Sequence, residues 1–233
     1  MHDDAAGKTD NWNRAYRDAP DCEYLVTLHA DDRLHPDALR RIERAARGGP
    51  ALIHGRVTII DWPGQILRRL GFPLSYRATG SQFRRLALYW NLVAVPGATV
   101  RRDLFERVGA WNPDYNSMQD VDMWWRLGEH GAVHYTGQLL GDYRLREISA
   151  TPAFVREYLR WFEERLSDPD LSPADRTAAE ANVALFRCNL SAHPDIVREL
   201  GITLEENSSR GLGDPILRQR LLRLRLAVAQ PIR

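Results

Sequence analysis

The sequence predicts an α/β fold that is followed by a helical C-terminal appendage. Two observations lead to this prediction. As far as about residue 151, short apolar runs alternate with stretches of helical periodicity, as in a sheet covered by helices. After Pro152 the periodicity is helical throughout. We therefore expect two parts, residues 1–151 and residues 152–233.

The first predicted elements are a helix and a buried strand. Residues 1–10 are polar and are expected to be frayed. A helix is predicted over 11–19, because Pro20 and Asp21 stop it. The apolar, β-rich run 24–28 then predicts a short buried strand.

The next segments are a helix, a strand and a stretch without a clear period. The helix over 36–47 begins with Pro36, which suits a first turn, and a strand over 51–60 follows it. Residues 64–95 mix glycine, arginine and aromatic residues. Two interpretations stay open for them: a variable region that shapes a substrate pocket, or an ordinary excursion with a helix near 82–90.

The later pattern is more regular. Gly109 stops a short helix, and Ser172 with Pro173 starts a longer one. Strands are predicted over 98–101, 133–136 and 139–143, and helices over 103–108, 120–129, 153–166, 172–190 and 216–229.

The composition indicates a soluble protein of the cytoplasm. The formal net charge of +1 gives no electrostatic basis for nucleic acid as a partner. Cys22 and Cys188 form no CxxC pattern, so we expect neither a zinc site nor a disulfide framework. The N-terminus lacks the apolar core of a signal peptide, and no apolar run approaches the roughly 20 residues that span a bilayer.

Asp31 and Asp32 follow the strand over 24–28, at the carboxyl end where open α/β sheets bind ligands. A hard divalent cation such as Mg²⁺ or Mn²⁺ binds carboxylates and bridges them to substrate phosphates. These residues therefore predict a cation site. The alternative, which the pattern leaves open, is that Asp32 caps a turn or the following helix.

Asp120 and Asp122 begin the helix over 120–129. Acidic side chains there are stabilised by the helix dipole, by roughly 0.3–1 kcal/mol each, which is a sufficient reason for their presence. Asp122 faces another side of the helix than Asp120 and is expected to be structural.

Residues 11–15, 23–25 and 29–36 resemble the middle of a family 2 glycosyltransferase of the GT-A fold. The resemblance implies that Asp31, with Asp32 beside it, holds a divalent cation and the diphosphate of a nucleotide sugar. His29 stands where the family's Asp-x-Asp pattern has its first Asp. Histidine is a ligand for Mn²⁺ and a poor one for Mg²⁺, so His29 is the second metal-ligand candidate.

Residues 96–111 and 119–127 resemble the later family segments in order and spacing. The resemblance implies that Asp120 is the general base for the acceptor hydroxyl, although Gln119 replaces a common Glu. Residues 143–151 resemble the family's ending, with Arg146 where a histidine is usual. Arg146 either contacts the diphosphate of the donor or is an ordinary surface arginine.

The resemblance implies a bacterial enzyme of cell-envelope polysaccharide synthesis. It would transfer a hexose-type sugar from a nucleotide-diphospho-sugar to a hydroxyl acceptor, with inversion and with help from Mn²⁺ or Mg²⁺. The family's nucleotide-binding half is not found upstream of residue 11. A truncated product, a half supplied by a separate chain, and a start that lies further upstream are the three explanations. A fold that lacks its first strands would leave an edge of the parallel sheet unpaired.

Two further interpretations accompany this one. The chain could be a non-catalytic remnant or a subunit that acts by binding another protein, or a carbohydrate-binding module that uses Trp62, Trp90, Trp111, Trp124 and Trp125. Separately, the basic amphipathic helix over 216–229 predicts either a peripheral contact with the inner face of the membrane or ordinary packing on the domain.

Overall fold

The protein is described here by a computed structural model of residues 7–89, 91–145, 151–190 and 194–200. The described strands are β1 Tyr24–Val26, β2 Arg33–Leu34, β3 Leu52–Ile60, β4 Ile66–Leu70, β5 Tyr76–Ala78, β6 Thr99–Arg101 and β7 Val133–Arg144. The described helices are α1 Lys8–Arg17, α2 Ala38–Ala46, α3 Gly80–Tyr89, α4 Arg102–Arg107, α5 Gln119–His130, α6 Pro152–Leu166, α7 Pro173–Leu190 and α8 Pro194–Leu200.

All seven described strands form one mixed sheet, in the order β1-β6-β3-β7-β2, with β4 paired to β3 and β5 paired to β7. The central pair, β3 and β7, is parallel, and the other pairs are antiparallel. Strand β3 is buried along most of its length, because it has neighbours on both sides and is covered on both faces. The structure therefore confirms the predicted α/β class.

Strand β1 lies at one end of this order. Within the described residues it pairs only with β6, through the register of Leu25 with Val100. An unpaired edge of a parallel sheet was expected, and β1 is an edge strand among the described residues. Its neighbour is antiparallel, however, and the parallel pairing lies deeper in the sheet.

Three segments differ from the prediction. Helix α1 begins at Lys8, inside the region expected to be frayed. The two strands predicted over 133–136 and 139–143 are one strand, β7, because an irregularity at Gly137 (φ +66°) is matched by register shifts in β3. The stretch 64–95 contains β4, β5 and α3. Helix α3 corresponds to the helix predicted near 82–90 and begins two residues earlier.

The core joins the sheet to the helices on both sides of residue 151. Trp124 of α5 belongs to the same buried cluster as Trp161 and Phe162 of α6. Helices α3 and α5 meet where Gly80 faces Gly128, and a Cβ added to Gly80 would lie 1.8 Å from the carbonyl oxygen of Gly128. The predicted division into two parts remains a prediction, and the helix predicted over 216–229 lies outside the described residues.

In the described ranges, no helix combines the length and the hydrophobicity that crossing a membrane requires.

Candidate functional site

The loop after β1 carries the first group of predicted site residues. The chain stays hydrogen-bonded to its neighbour as far as Thr27, whose amide donates to the carbonyl of Ala98 at 2.8 Å. It then turns, and the amide of Asp32 donates to the carbonyl of His29 at 3.2 Å. The turn places the side chains of this loop at the carboxyl end of β1, where the sequence predicts a ligand site.

His29, Asp31 and Asp32 form a cluster with the dimensions of a metal site. One ligand atom from each residue lies within 4.8 Å of the others. Nδ1 of His29 and Oδ2 of Asp32 are 3.9 Å apart. Asp32 is buried, while His29 and Asp31 are partly exposed. An imidazole with two carboxylates suits Mn²⁺ better than Mg²⁺, which prefers oxygen ligands alone.

The His29 ring is stacked on Trp12 of α1, with ring centroids 5.0 Å apart and an interplanar angle of 27°. Trp12 in turn packs edge-on against the buried Trp111, at 5.4 Å. These contacts restrict the orientation of the imidazole. Helix α1 is therefore part of the site; the sequence predicts a helix over 11–19 but does not indicate this contact with His29.

Arg144, at the end of β7, fixes the acidic loop from the other side. Its amide donates to Oδ1 of Asp32 at 2.8 Å, and its Nε donates to the carbonyl of Asp31 at 2.9 Å. Its Nη1 donates to the carbonyl of Asp61 at 2.6 Å and also to that of Trp62. The guanidinium thus orders the loop through backbone atoms. Arg146, the arginine that the sequence predicts as a donor contact, lies outside the described residues.

Asp120 lies in the first turn of α5 and is partly buried. Its Oδ2 accepts a hydrogen bond from Nδ2 of Asn91 at 2.9 Å, and its Oδ1 accepts one from the amide of Val121 at 2.8 Å. Burial raises the pKa of Asp120 above its ordinary value of 3.8, against the opposing effect of these hydrogen bonds and of Lys8. A raised pKa brings a carboxylate closer to the range that suits a general base.

Lys8 lies against Trp12 and interacts electrostatically with Asp120. Its Nζ lies 4.7 Å from the ring centroid of Trp12, the residue that stacks on His29, and donates to the carbonyl of Asn116 at 2.8 Å. Burial lowers the pKa of Lys8, and the charges of Asp120 and Glu157 partly offset this effect. Lys8, the chain's single lysine, thus interacts electrostatically with the predicted base and packs against the tryptophan that stacks on a predicted metal ligand.

Asp122 has the structural role that was expected of it. Its carboxylate is buried and accepts from Nε of Arg126 at 2.8 Å and from Nη2 of Arg165 at 2.9 Å. The negative charge of Asp122 is thus paired with two arginines, as the burial of a carboxylate requires. Gln119, which stands where the resembling family has Glu, is also buried, and its amide donates to Thr9 of α1.

A cavity of about 220 Å³ runs from His29 along β1, between this strand and α1. Its walls include Trp12, Tyr16 and Leu28. Enclosed sites for drug-sized ligands usually measure about 300–1,000 Å³, so this cavity accommodates a ring rather than a whole nucleotide sugar.

The described tryptophans of the predicted carbohydrate-binding set do not form a common surface. Trp111, Trp124 and Trp125 are buried, whereas Trp62 is 71% exposed. Trp90 lies outside the described residues. A carbohydrate-binding face made of these rings is therefore not supported by the part of the chain that is described.

Comparison with solved structures gives a fold relative, whereas comparison with sequences gives none. No protein-family model matches the chain, and no curated protein matches it. The chain is similar to residues 1–349 of TarS from S. aureus in complex with UDP-GlcNAc, with a TM-score of 0.55 and 13% identity. The similarity covers 96% of this chain and 62% of that one, so the chain spans less than two thirds of the TarS structure.

At this level of identity the similarity concerns the fold. It confirms the predicted α/β architecture and is consistent with a GT-A-type sheet. Membership of family 2 and the proposed truncation remain predictions, as do the assignments of His29, Asp31, Asp32 and Asp120.

Proposed function

We propose that the protein transfers a sugar from a nucleotide-diphospho-sugar to a hydroxyl acceptor. The observation that supports this best is the cluster of His29, Asp31 and Asp32 at the end of β1. The cluster occurs in a fold that is shared with a protein solved in complex with UDP-GlcNAc. Fold similarity alone would not suggest a function, so the proposal depends on the site.

In this proposal Asp31 and His29 hold a divalent cation, Mn²⁺ or Mg²⁺, and Asp32 supports them from its buried position. The cation, when bound, neutralises charge on the diphosphate of the donor. Ordering of the loop by Arg144 keeps both carboxylates at the carboxyl end of β1. Asp32 is buried, and a buried carboxylate is stabilised by a nearby positive charge such as a bound cation.

Asp120 is the proposed general base. It accepts the proton of the acceptor hydroxyl while the acceptor oxygen forms a bond to the anomeric carbon and the bond to the diphosphate oxygen breaks. A single in-line displacement of this kind inverts the configuration at that carbon. Asn91 and the amide of Val121 hold the Asp120 carboxylate in one orientation for this step.

Calorimetry with UDP, GDP and dTDP, each in the presence of Mn²⁺, tests the donor site. We expect one of them to bind the wild type, and the binding to be lost in Asp31→Asn. Asp170→Asn is a matched control, because Asp170 is an exposed carboxylate in the loop between α6 and α7. If none of the three diphosphates binds the wild type, the donor site as proposed is wrong.

Release of UDP from UDP-GlcNAc, with water as the acceptor, then tests the role of Asp120 as general base. Asp120→Asn should bind the nucleotide as the wild type does and lose about 10²–10⁴-fold in turnover, the usual contribution of a general base. Weakened nucleotide binding with unchanged turnover would contradict this role.

A second candidate function is that of a subunit that binds another protein through β1. The unpaired side of β1 within the described residues favours it, because an exposed edge strand is a template for strand addition. This candidate predicts no binding of any of the three diphosphates by the purified chain.

A further inference from the structure

The hairpin made of β3 and β4, together with the segment that follows it, carries most of the exposed large apolar side chains among the described residues. Five of the nine lie between residues 62 and 74, and a sixth, Leu145, pairs with Ile60 of the hairpin through its amide at 2.9 Å. The five are Trp62 (71% exposed), Ile66 (54%), Leu67 (48%), Phe72 (38%) and Leu74 (71%). Exposed apolar side chains that lie close together are typical of interaction surfaces.

This surface, which we call the hairpin surface (residues 61–74), is also basic. Arg68 and Arg69 are exposed on β4, and the guanidinium of Arg33 lies beside Gly64 in the turn. Asp61 is the single acidic residue of the segment, and its Oδ1 accepts from the amides of Gly64 and Gln65, at 2.9 Å and 2.6 Å. The carboxylate thus closes the turn, and the arginines dominate the charge that faces outwards.

The hairpin is held rigidly in place. Gly64 adopts a left-handed conformation (φ +98°), which completes the turn. Arg144 donates to the carbonyls of Asp61 and Trp62, and its guanidinium carbon lies 5.5 Å from the Trp62 ring centroid. Trp62 therefore projects from an ordered turn. Because the turn is already ordered, binding through Trp62 costs little conformational entropy.

From these observations we propose that the hairpin surface binds an anionic lipid bilayer. Tryptophan prefers the interface between water and lipid, the leucine and isoleucine side chains partition into the acyl region, and arginine is attracted by anionic headgroups. Apolar residues on both faces of an edge strand, combined with arginines, fit a bilayer better than a second copy of β4, which would place Arg68 and Arg69 of two chains close together.

The proposal stands independently of the proposed function. The two are connected in space, because Arg144 joins the hairpin turn to the loop of Asp31 and Asp32. A bilayer bound here would hold that loop near the lipid surface. The test below measures lipid binding alone, so its outcome does not depend on catalysis.

Co-sedimentation of the full chain with vesicles tests the proposal, using phosphatidylcholine alone and phosphatidylcholine mixed with phosphatidylglycerol. We expect binding to the mixed vesicles, weakened by salt. Arg68→Gln and Arg69→Gln should each reduce partitioning about fivefold. Trp62→Ser should reduce it roughly tenfold, since a large apolar side chain no longer leaves water.

Matched controls come from exposed residues outside the hairpin surface. Leu39→Ser on α2 replaces a leucine that is 61% exposed, and Arg14→Gln on α1 replaces an arginine whose side chain is 54% exposed. Both should bind vesicles as the wild type does. Unchanged melting temperatures would verify that all variants are folded.

Three outcomes would overturn the proposal. The wild type could fail to bind the anionic vesicles. The hairpin variants could bind as well as the wild type, which would assign the contact to another segment, such as 216–229. Sedimentation velocity without lipid could also show self-association that Trp62→Ser abolishes, which would make the hairpin surface an interface between copies or between proteins.

Discussion

The amide of Arg144 donates a 2.8 Å hydrogen bond to Oδ1 of Asp32, a residue that is 112 positions away in the sequence. The guanidinium of the same residue donates to the carbonyl of Asp31 at 2.9 Å. The end of β7 thus determines where the two carboxylates of the β1 loop lie. Because Asp32 is buried and close to His29, its position also sets the spacing of the proposed ligands.

Replacement of Arg144 by methionine should therefore weaken Mn²⁺ binding. Methionine keeps the backbone hydrogen bond to Asp32 and much of the apolar stem, but it removes the side-chain bonds to Asp31 and Asp61. Loss of a group that orients metal ligands typically costs about 10–100-fold in affinity, and we expect the lower end because one bond remains. Titration of Mn²⁺ followed by electron paramagnetic resonance measures the change.

Arg107→Met is the control for this measurement, since Arg107 is exposed at the end of α4. It should bind Mn²⁺ as the wild type does. Equal affinity in all three proteins would mean that Arg144 does not organise a metal site.

The elements with a clear period were predictable from the sequence. Helix α5 repeats large apolar residues on the face that enters the core, and β3 is a partly alternating β-rich segment bounded by turn residues. β7 was predicted as two strands, because Gly137 and Gln138 break the apolar pattern without ending the strand. Pairing with the irregular register of β3 keeps it continuous, and pairing between distant segments cannot be recognised from local pattern.

The candidate site was predictable where residue type alone suggests chemistry. His29, Asp31 and Asp32 do lie together as the spacing suggested, and Asp122 is paired as expected of a structural acid. Lys8 and Arg144 were not predicted, because their importance comes from contacts with residues about a hundred positions away. The one available signal for Lys8 was its status as the single lysine in an arginine-rich chain.

Asp120 should reduce stability at neutral pH. Burial raises its pKa above 3.8, so between 3.8 and the raised value the folded state binds more protons than the unfolded state. Stability therefore falls as the pH rises through this window, and the loss persists above it. Asp120→Asn should have a higher free energy of unfolding in urea than the wild type at pH 7, and the difference should shrink as the pH approaches 3.8.

The Asp170→Asn variant, which removes an exposed carboxylate, should show no such difference. A lower stability of Asp120→Asn at pH 7 would mean that the ionised carboxylate is favourable in the fold. Burial would then not be the dominant influence on its pKa.

Glu157 of α6 should hold the start of α5 in place. Its Oε2 accepts hydrogen bonds from the amides of Asn116, Ser117 and Met118, at 3.0, 2.7 and 3.3 Å. A carboxylate at this end of a helix also interacts favourably with the helix dipole. Glu157→Ala should lower the free energy of unfolding by about 1–2 kcal/mol, as loss of an N-cap does.

Glu163→Ala is the matched control, because Glu163 is an exposed acid on the same helix. Thermal and urea unfolding of both variants compares them with the wild type. The assignment is wrong if the two substitutions have equal effects.

His54 should make the fold sensitive to acid. It is fully buried in β3 beside Tyr135 and Phe83, and neither ring nitrogen has a hydrogen-bond partner among the described residues. Burial, with a smaller contribution from His134, lowers its pKa from 6.5 to about 3. Below pH 6.5 the unfolded chain therefore takes up a proton at this position that the folded chain refuses until about pH 3.

The stability that is lost through His54 as the pH falls amounts to about 1.4 kcal/mol per pH unit well inside this window. His54→Phe keeps an aromatic ring in an aromatic environment and removes the titration. Wild type and variant should therefore diverge in urea unfolding between pH 6 and pH 4, a range that lies within the window from 6.5 to about 3. His130→Gln, at an exposed position, should follow the wild type. Parallel pH profiles for the wild type and His54→Phe would show that His54 is protonated in the folded protein, which would require a compensating partner at its ring.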